Sequence, residues 1–353
     1  MNHKKIAIGF AILAAALYAV NVPLSKVLLE HVSTTMMAAF LYLGAGIGLL
    51  LYSCIGKLIG KTAIKEPLTR KELPYTVSMV VLDIAAPILL MMGIARTTSA
   101  NVSLLNNFEI VATSLIALFV FREVISKRLF FAIGLVTLAS VVLGFEGVGS
   151  FTFNWGSLFV LGACVCWGLE NNCTKMISSK SSVEIVIIKG CCSGLGSLII
   201  ALILGEPIPA LKWIFCVLFL GFVAYGLSIN FYIMAQKDLG AAKTSAFYSV
   251  APFLGVGFSM LLLGERPNLQ FYIALFLMLI ATVLMVKDTI STQHTHEHVH
   301  MHTHVHCHGK VIHSHPHVHS HCHIHAHTDG QNEIHQHTHF NMGKHHHAHS
   351  ASF

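Results

Sequence analysis

The chain has 353 residues, of which 54% are hydrophobic and 11% charged, and its formal net charge is +6. A soluble domain carries roughly 25% charged residues, so these proportions exclude an ordinary soluble protein of this size. The cations sit in the loops between apolar runs rather than on one basic face, which fits membrane topology and speaks against a nucleic-acid partner.

In chain order, the apolar runs lie near 6–29, 33–56, 73–93, 98–120, 128–146, 155–177, 183–204, 212–235, 241–263 and 270–286. Each is long enough for a hydrocarbon core of roughly 30 Å. Only helices and closed barrels satisfy every backbone group in lipid, and runs this continuous are not barrel strands. The expected fold is therefore all-α and integral to the lipid bilayer, with ten transmembrane helices. The first run follows Lys4 and Lys5 and contains the small residues Ala14 to Ala16, as a secretory leader does. It continues to Leu29, beyond a leader's apolar core, and so reads as an uncleaved span.

The loop charges orient the array. Lys57, Lys61, Lys65, Arg70 and Lys71 follow the second run, and Arg122, Lys127 and Arg128 follow the fourth. With Lys4, Lys5, Lys180 and Lys237 they fall on one side of a ten-span chain, leaving Arg96, Lys212 and Arg266 on the other. Positive residues collect in the cytoplasm. The expectation is a multi-pass protein of the cell (inner) membrane with both termini cytoplasmic. Cys54, Cys164, Cys166, Cys173, Cys191, Cys192 and Cys216 lie in apolar runs, and Cys307 and Cys322 lie near the C-terminus. This is no disulfide framework.

An internal repeat is legible. Tyr18 aligns with Trp167, Asn21 with Glu170 and Lys26 with Lys175; further on, Ser103 aligns with Ser245 and Glu123 with Glu265. The chain divides into halves at 1–146 and 147–289 and a tail at 290–353. Each half holds five spans, an odd number, so the second half enters the membrane upside down relative to the first. Inverted repeats are a transporter device.

Ala95 to Leu143, with Thr98-Ser99-Ala100, Ser103-Leu104-Leu105, Glu109 and Arg122-Glu123, resembles the closing part of an EamA repeat. Lys243 to Leu284, with Ala251-Pro252 and Leu263-Gly264-Glu265-Arg266, resembles the same element, and Tyr18 to Asn21 and Trp167-Gly168 resemble its opening. The first copy departs from the pattern at Arg122, where Gly is usual, and at Ile110, in place of Pro. The resemblance is to the drug/metabolite transporter (DMT) superfamily over residues 6–287. It implies secondary transport of small solutes, often export. No paired nucleophile and base, P-loop or dinucleotide fingerprint points to an enzyme or to ATP-driven pumping.

Carboxylates in mid-membrane are expensive, by at least ~2.5 kcal/mol on insertion scales. Asp83, Glu109 and Glu170 lie inside spans, with Asn106 and Asn107 beside Glu109 and Asn171 and Asn172 beside Glu170. They suit a proton, a cation or a cationic substrate; the alternative is protonated groups that fix helix contacts. Asn21, Tyr225, Asn230, Tyr248 and Ser249 are further candidates for a cavity wall, and Pro87 follows Asp83 by one turn. Lys26, Lys175 and Lys189 read as residues that snorkel from span ends. Cys164, Cys166, Cys173, Met91 and Met92 offer soft donors, but positions two apart on a helix face different ways.

After Lys287 the composition changes. All of the 25 histidines except His3 and His31 lie between His294 and His349. They alternate as His294, His296, His298, His300, His302, His304, His306 and His308, then His313, His315, His317, His319, His321, His323, His325 and His327. The segment has too few large apolar groups to fold and reads as disordered. Its imidazoles suit a transition-metal ion, Zn, Ni, Co or Cu; a pH sensor is the rival, since imidazole titrates near 6.5. No cofactor is required. The function expected is a secondary transporter, of a small solute or a divalent metal ion, whose tail senses or buffers metal. The rivals are a metabolite or amino-acid exporter whose tail only stores metal, and a membrane-anchored metal reservoir. Nothing in the sequence speaks to oligomeric state.

Overall fold

The computed structural model describes residues 3–58, 70–121, 126–144, 154–177, 181–239, 244, 247–308 and 311–326. The chain forms two units, Met1–Gln293 and His294–Phe353.

Through Thr292, the regular elements among the first unit's described residues are helices. Its helices are α1 (His3–Ala19), α2 (Asn21–Leu28), α3 (Thr34–Leu58), α4 (Leu73–Arg96), α5 (Ser99–Leu105), α6 (Phe108–Phe121), α7 (Lys127–Gly144), α8 (Trp155–Ile177), α9 (Ser182–Ile203), α10 (Leu211–Gly221), α11 (Ser228–Leu239), α12 (Ala251–Leu263) and α13 (Leu269–Thr292). Among the described residues, eight helical stretches are long and apolar enough to cross a membrane: Lys5–Leu28, Thr34–Ile55, Arg70–Arg96, Ser99–Val120, Lys127–Gly144, Val183–Ile203, Leu211–Ala235 and Leu269–Asp288. Two of the ten expected runs are not among them. α8 has the length, at 23 residues, but Glu170, Asn171, Asn172 and Lys175 dilute its apolar character. The run at 241–263 contains the 13-residue apolar helix α12.

Three spans are interrupted. α1 gives way to α2 at Val20; Pro23 has no N–H and its ring opposes the carbonyl four residues back. α5 gives way to α6 at Asn106 and Asn107, the side-chain amide of Asn107 donating to the Leu104 carbonyl at 3.0 Å. Between α10 and α11, Phe222–Leu227 forms a π-helical turn, a feature frequent at functional sites. Pro87, by contrast, is absorbed within α4.

Packing brings distant elements together in matched pairs. α4 packs on α8 and α1 on α11; α6 packs on α8 and α1 on α12; α3 packs on α10 and α4 on α9. α3 also meets α9, α5 meets α12, and α7 meets α13. The α3–α9 contact is close because glycines face each other: a Cβ on Gly190 would lie 2.5 Å from the Gly46 nitrogen and 2.8 Å from the Tyr42 carbonyl oxygen. Small residues at such crossings let backbones approach.

Large apolar side chains cover the outside, among them Phe119, Phe130, Ile203, Phe219, Leu261 and Leu269. Polar ones, including Asn21, Ser25, Asp83 and Glu170, are buried inside. This inside-out distribution is that of a protein solvated by lipid tails.

The second unit contains β1 (Gln293–His308) and β2 (Val311–Ala326), paired as a two-stranded sheet. α13 continues to Thr292, and the strict alternation beyond it has the period of a strand.

Candidate functional site

The face of α8 that carries Trp167, Glu170, Asn171 and Thr174 repeats at three- and four-residue steps, so these side chains project together. α8 lies between α4 and α6, and its polar face meets two separate carboxylates there.

On the α4 side, Lys189 of α9 joins Asp83 and Glu170. Its Nζ lies 3.2 Å from Asp83 Oδ2 and 3.0 Å from Glu170 Oε2. The Tyr42 hydroxyl donates to Asp83 Oδ1 at 3.1 Å, and Trp167 Nε1 donates to the same hydroxyl at 3.3 Å. The Thr174 hydroxyl donates a short bond to Glu170 Oε1. Asp83 and Glu170 are 0% and 1% exposed, so the lysine is the counterion that lets both be buried. The expectation that Lys189 snorkels to the surface is corrected. It lies two turns inside α9, and the narrow α3–α9 crossing at Gly190 presses it against α4.

On the α6 side, Asn171 Nδ2 donates to Glu109 Oε1 at 2.8 Å and to Thr113 Oγ1 at 3.3 Å. The Thr113 hydroxyl donates to the Glu109 carbonyl at 2.8 Å. Asn172 turns away, its amide donating to the carbonyls of Gly168 and Thr113. A Cβ on Gly168 would meet Ala112 and Thr113 at 2.8 Å, so that glycine permits the approach of α8 to α6.

A cavity of about 560 Å³ opens between these groups, lined by Glu109, Glu170, Asn171, Lys189, Trp167 and a set of tyrosines. Tyr18 meets Tyr225 edge-on at 5.8 Å between ring centroids and lies 6.0 Å from Tyr248. Tyr232 lies 5.1 Å from Tyr248, and Tyr42 lies 5.5 Å from Tyr225. Asn21 Nδ2 donates to the Tyr225 hydroxyl at 3.0 Å, and the Ser25 hydroxyl donates to Asn21 Oδ1 at 3.2 Å. Tyr248 and Ser228 share a 3.5 Å hydroxyl contact. The cavity reaches toward the C-terminal end of α8, where Thr174, Ile185 and Ile233 line it.

The opposite end is tied by backbone contacts. Lys26 Nζ donates to the carbonyls of Ile94 and Thr97 at 2.5 and 2.8 Å, satisfying the last turn of α4. It is half-buried and spent on these bonds, which corrects its reading as a snorkelling residue. Glu265 accepts the amides of Ser99 and Ala100 at 2.7 and 2.8 Å, capping α5. A second cavity of about 550 Å³ lies there, with Lys26, Arg96, Asn101, Glu265 and Asn268 in its wall. Among the described residues it contains no buried ion pair, so the central cavity is the candidate site.

Of the residues expected from sequence, Asp83, Glu109, Glu170, Asn171, Asn21, Tyr225 and Tyr248 come together around the central cavity. Asn106 and Asn107 do not. They form the α5–α6 break, where Asn107 contacts Leu104 and Met278 and the buried Asn106 Oδ1 has no partner among the described residues. Cys164 is buried packing against the Leu105 carbonyl. Lys189, Tyr42, Trp167, Thr174, Thr113 and Tyr232 were not recognised as site residues from sequence. Two buried carboxylates need a cation, and that requirement was the one signal for Lys189. Among the described residues, no three His, Cys, Asp or Glu side chains are grouped to hold a metal. His294 to His325 lie on β1 and β2. His327 lies outside the described residues, as do Arg122, Glu123 and Ser245.

Comparison with known proteins agrees with this architecture. The model of the EamA-like transporter family matches the chain twice, at residues 5–145 and 154–287. A protein of Methanothermobacter thermautotrophicus described as an uncharacterized transporter is 26% identical over 275 residues, covering 72% of this chain and 78% of that protein. One of Clostridium kluyveri with the same description is 26% identical over 236 residues, covering 62% and 74%. A solved crystal structure superposes with a TM-score of 0.56 at 16% identity, over 79% of this chain and 94% of that one, a likeness of fold. With two family matches over most of its length and apolar helices of spanning length, the chain is a multi-pass membrane protein and belongs to the EamA-like transporter family, of the drug/metabolite type.

Proposed function

We propose that this protein is a secondary transporter of ten spans, built from inverted halves at 1–146 and 147–289, that carries a small organic solute through the central cavity. The observation that supports this most is the cavity itself: about 560 Å³, walled by aromatic rings and bordered by ionisable groups from both halves. Asp83 belongs to the first half, and Glu170 and Lys189 belong to the second. The pairing of helices supports the repeat. Replacing each span by its counterpart five spans on turns the α4–α8 contact into α11–α1, α6–α8 into α12–α1, and α3–α10 into α9–α4, all of which are present. Broken helices near a cavity between halves are the usual setting for solute binding in transporters.

An organic solute suits the cavity better than a bare divalent metal. Lys189 already sits against Asp83 and Glu170, and an ammonium there repels a second cation from the same oxygens. With both termini cytoplasmic, the central cavity reaches toward the cytoplasm while the Lys26 and Glu265 contacts hold the outer end closed. Exchange of these conditions between the halves moves the solute. The histidine tail then binds Zn, Ni, Co or Cu as a sensor or buffer outside the transport path.

The test is flux in proteoliposomes with a pool of labelled metabolites and, separately, with Zn, Ni and Co. Organic flux that is lost in Asp83→Asn and retained without residues 291–353 is the expected result. Metal flux that collapses in Glu109→Gln would make the metal ion the cargo instead.

A further inference from the structure

We infer that the solute carries an ammonium group, and that Glu109 beneath the tyrosines is the site that takes it. This rests on the reading of the central cavity as the solute's path and adds the chemistry of what enters.

The three carboxylates of the cavity region are not equivalent. Asp83 and Glu170 share Lys189, and each has a hydroxyl donor besides, from Tyr42 and Thr174. Glu109 accepts its hydrogen bond from a neutral amide, and among the described residues no cation touches it. Its Oε1 accepts from the Asn171 amide at 2.8 Å. Thr113 holds both members of that bond in place, donating to the Glu109 carbonyl and accepting from Asn171. A carboxylate held in position, half-buried and with no cation in contact among the described residues, is a place prepared for a cation.

The rest of the wall favours an organic cation. Tyr18, Tyr225 and Tyr248 line the same cavity as Glu109. They form a connected set with Tyr232, at centroid separations of 5.1 to 6.0 Å. Aromatic faces attract ammonium groups, most strongly where water is excluded. A hard divalent ion needs six or more oxygen ligands, which rings do not supply. A carboxylate-bearing solute meets Glu109, Glu170 and Asp83 around a single Lys189. A neutral solute leaves Glu109 unpaired.

The test uses the full chain with Trp155→Phe and Trp213→Phe, so that Trp167 in the cavity wall reports binding by fluorescence. The probes are choline, a linear primary alkylamine, the uncharged carbon isostere of choline, and an alkyl carboxylate of similar length. Choline or the amine is expected to change the Trp167 emission, and the isostere and the carboxylate to bind at least about tenfold more weakly. Glu109→Gln should weaken the cation by about tenfold or more, and Glu109→Asp should keep part of the affinity, which separates charge from folding. Equal binding of the isostere, binding of the carboxylate alone, no binding of any probe, or full cation affinity in Glu109→Gln each overturns the inference. Flux of a neutral or anionic solute in proteoliposomes would overturn the ammonium assignment and leave the transporter reading standing. Absence of flux for every solute in the pool would remove that reading too.

Discussion

Lys189 of α9 and Asp83 of α4 form a 3.2 Å ion pair inside the helix array, and the same ammonium lies 3.0 Å from Glu170 of α8. Because Asp83 is fully buried, the pair is shielded from water and salt on at least one side. It joins the two halves of the chain through the wall of the cavity.

Removing the lysine should therefore destabilise the fold more than removing either acid. Lys189→Met strands two buried carboxylates, and breaking such a pair costs about 3–5 kcal/mol. Thermal unfolding in detergent should show a large loss for Lys189→Met. Combining it with Asp83→Asn should restore part of that loss. Additive losses in the double variant would mean that the two residues do not interact.

The α3–α9 crossing should tolerate no side chain at its centre. A Cβ on Gly190 would be 2.5 Å from the Gly46 nitrogen, so Gly190→Leu must push the helices apart and withdraw Lys189 from Asp83. Gly134→Ala, where nothing lies within 4 Å of the added carbon, serves as the control. Expression and gel-filtration behaviour should fail for the first and hold for the second.

Outside the spans, Glu206 gives the fold an acid limit. Gly205 takes a left-handed conformation at φ 69°, and the next residue reaches the start of α3. There Glu206 accepts from the Ser33 hydroxyl at 2.6 Å and from the amides of Met36 and Thr35 at 2.9 and 3.3 Å. Burial raises the carboxyl's pKa, but these bonds outweigh it and hold the group below its ordinary 4.5. A depressed folded value means stability that is present above the unfolded pKa and lost as pH falls through the folded one. Melting temperature should drop below about pH 4.5, and Glu206→Gln should flatten that part of the profile. An unchanged profile in the variant would assign the acid limit to another group.

The tail and the membrane unit should separate functionally. Deleting 291–353 is expected to abolish high-capacity binding of Zn, Ni, Co or Cu, read by calorimetry, and to leave solute flux unchanged. Loss of flux on deletion would place the tail in the transport cycle.

Much of the fold was legible because lipid imposes a simple rule. Apolar runs of about 20 residues must become helices, so α3, α4, α7, α9 and α13 could be read directly. The carboxylates Asp83, Glu109 and Glu170 stood out because charge in such runs is rare. The breaks at Asn106 and at Phe222–Leu227 could not be read, since nothing in local composition distinguishes a break from polar residues that face a cavity.

What the sequence by itself determined, then, is where the long apolar helices lie and that the chain is doubled: helix length, apolar content and paired residues such as Tyr18 with Trp167 are local or periodic properties. Tertiary structure alone decided the partners. Lys189 reads as a residue near a span end until α9 is laid on α3 through Gly46 and Gly190. Only that crossing carries its ammonium to Asp83 and Glu170, because a contact between distant helices depends on how closely their backbones approach. For the same reason Glu109 and the tyrosines of four separate spans became one cavity only when the two halves packed together.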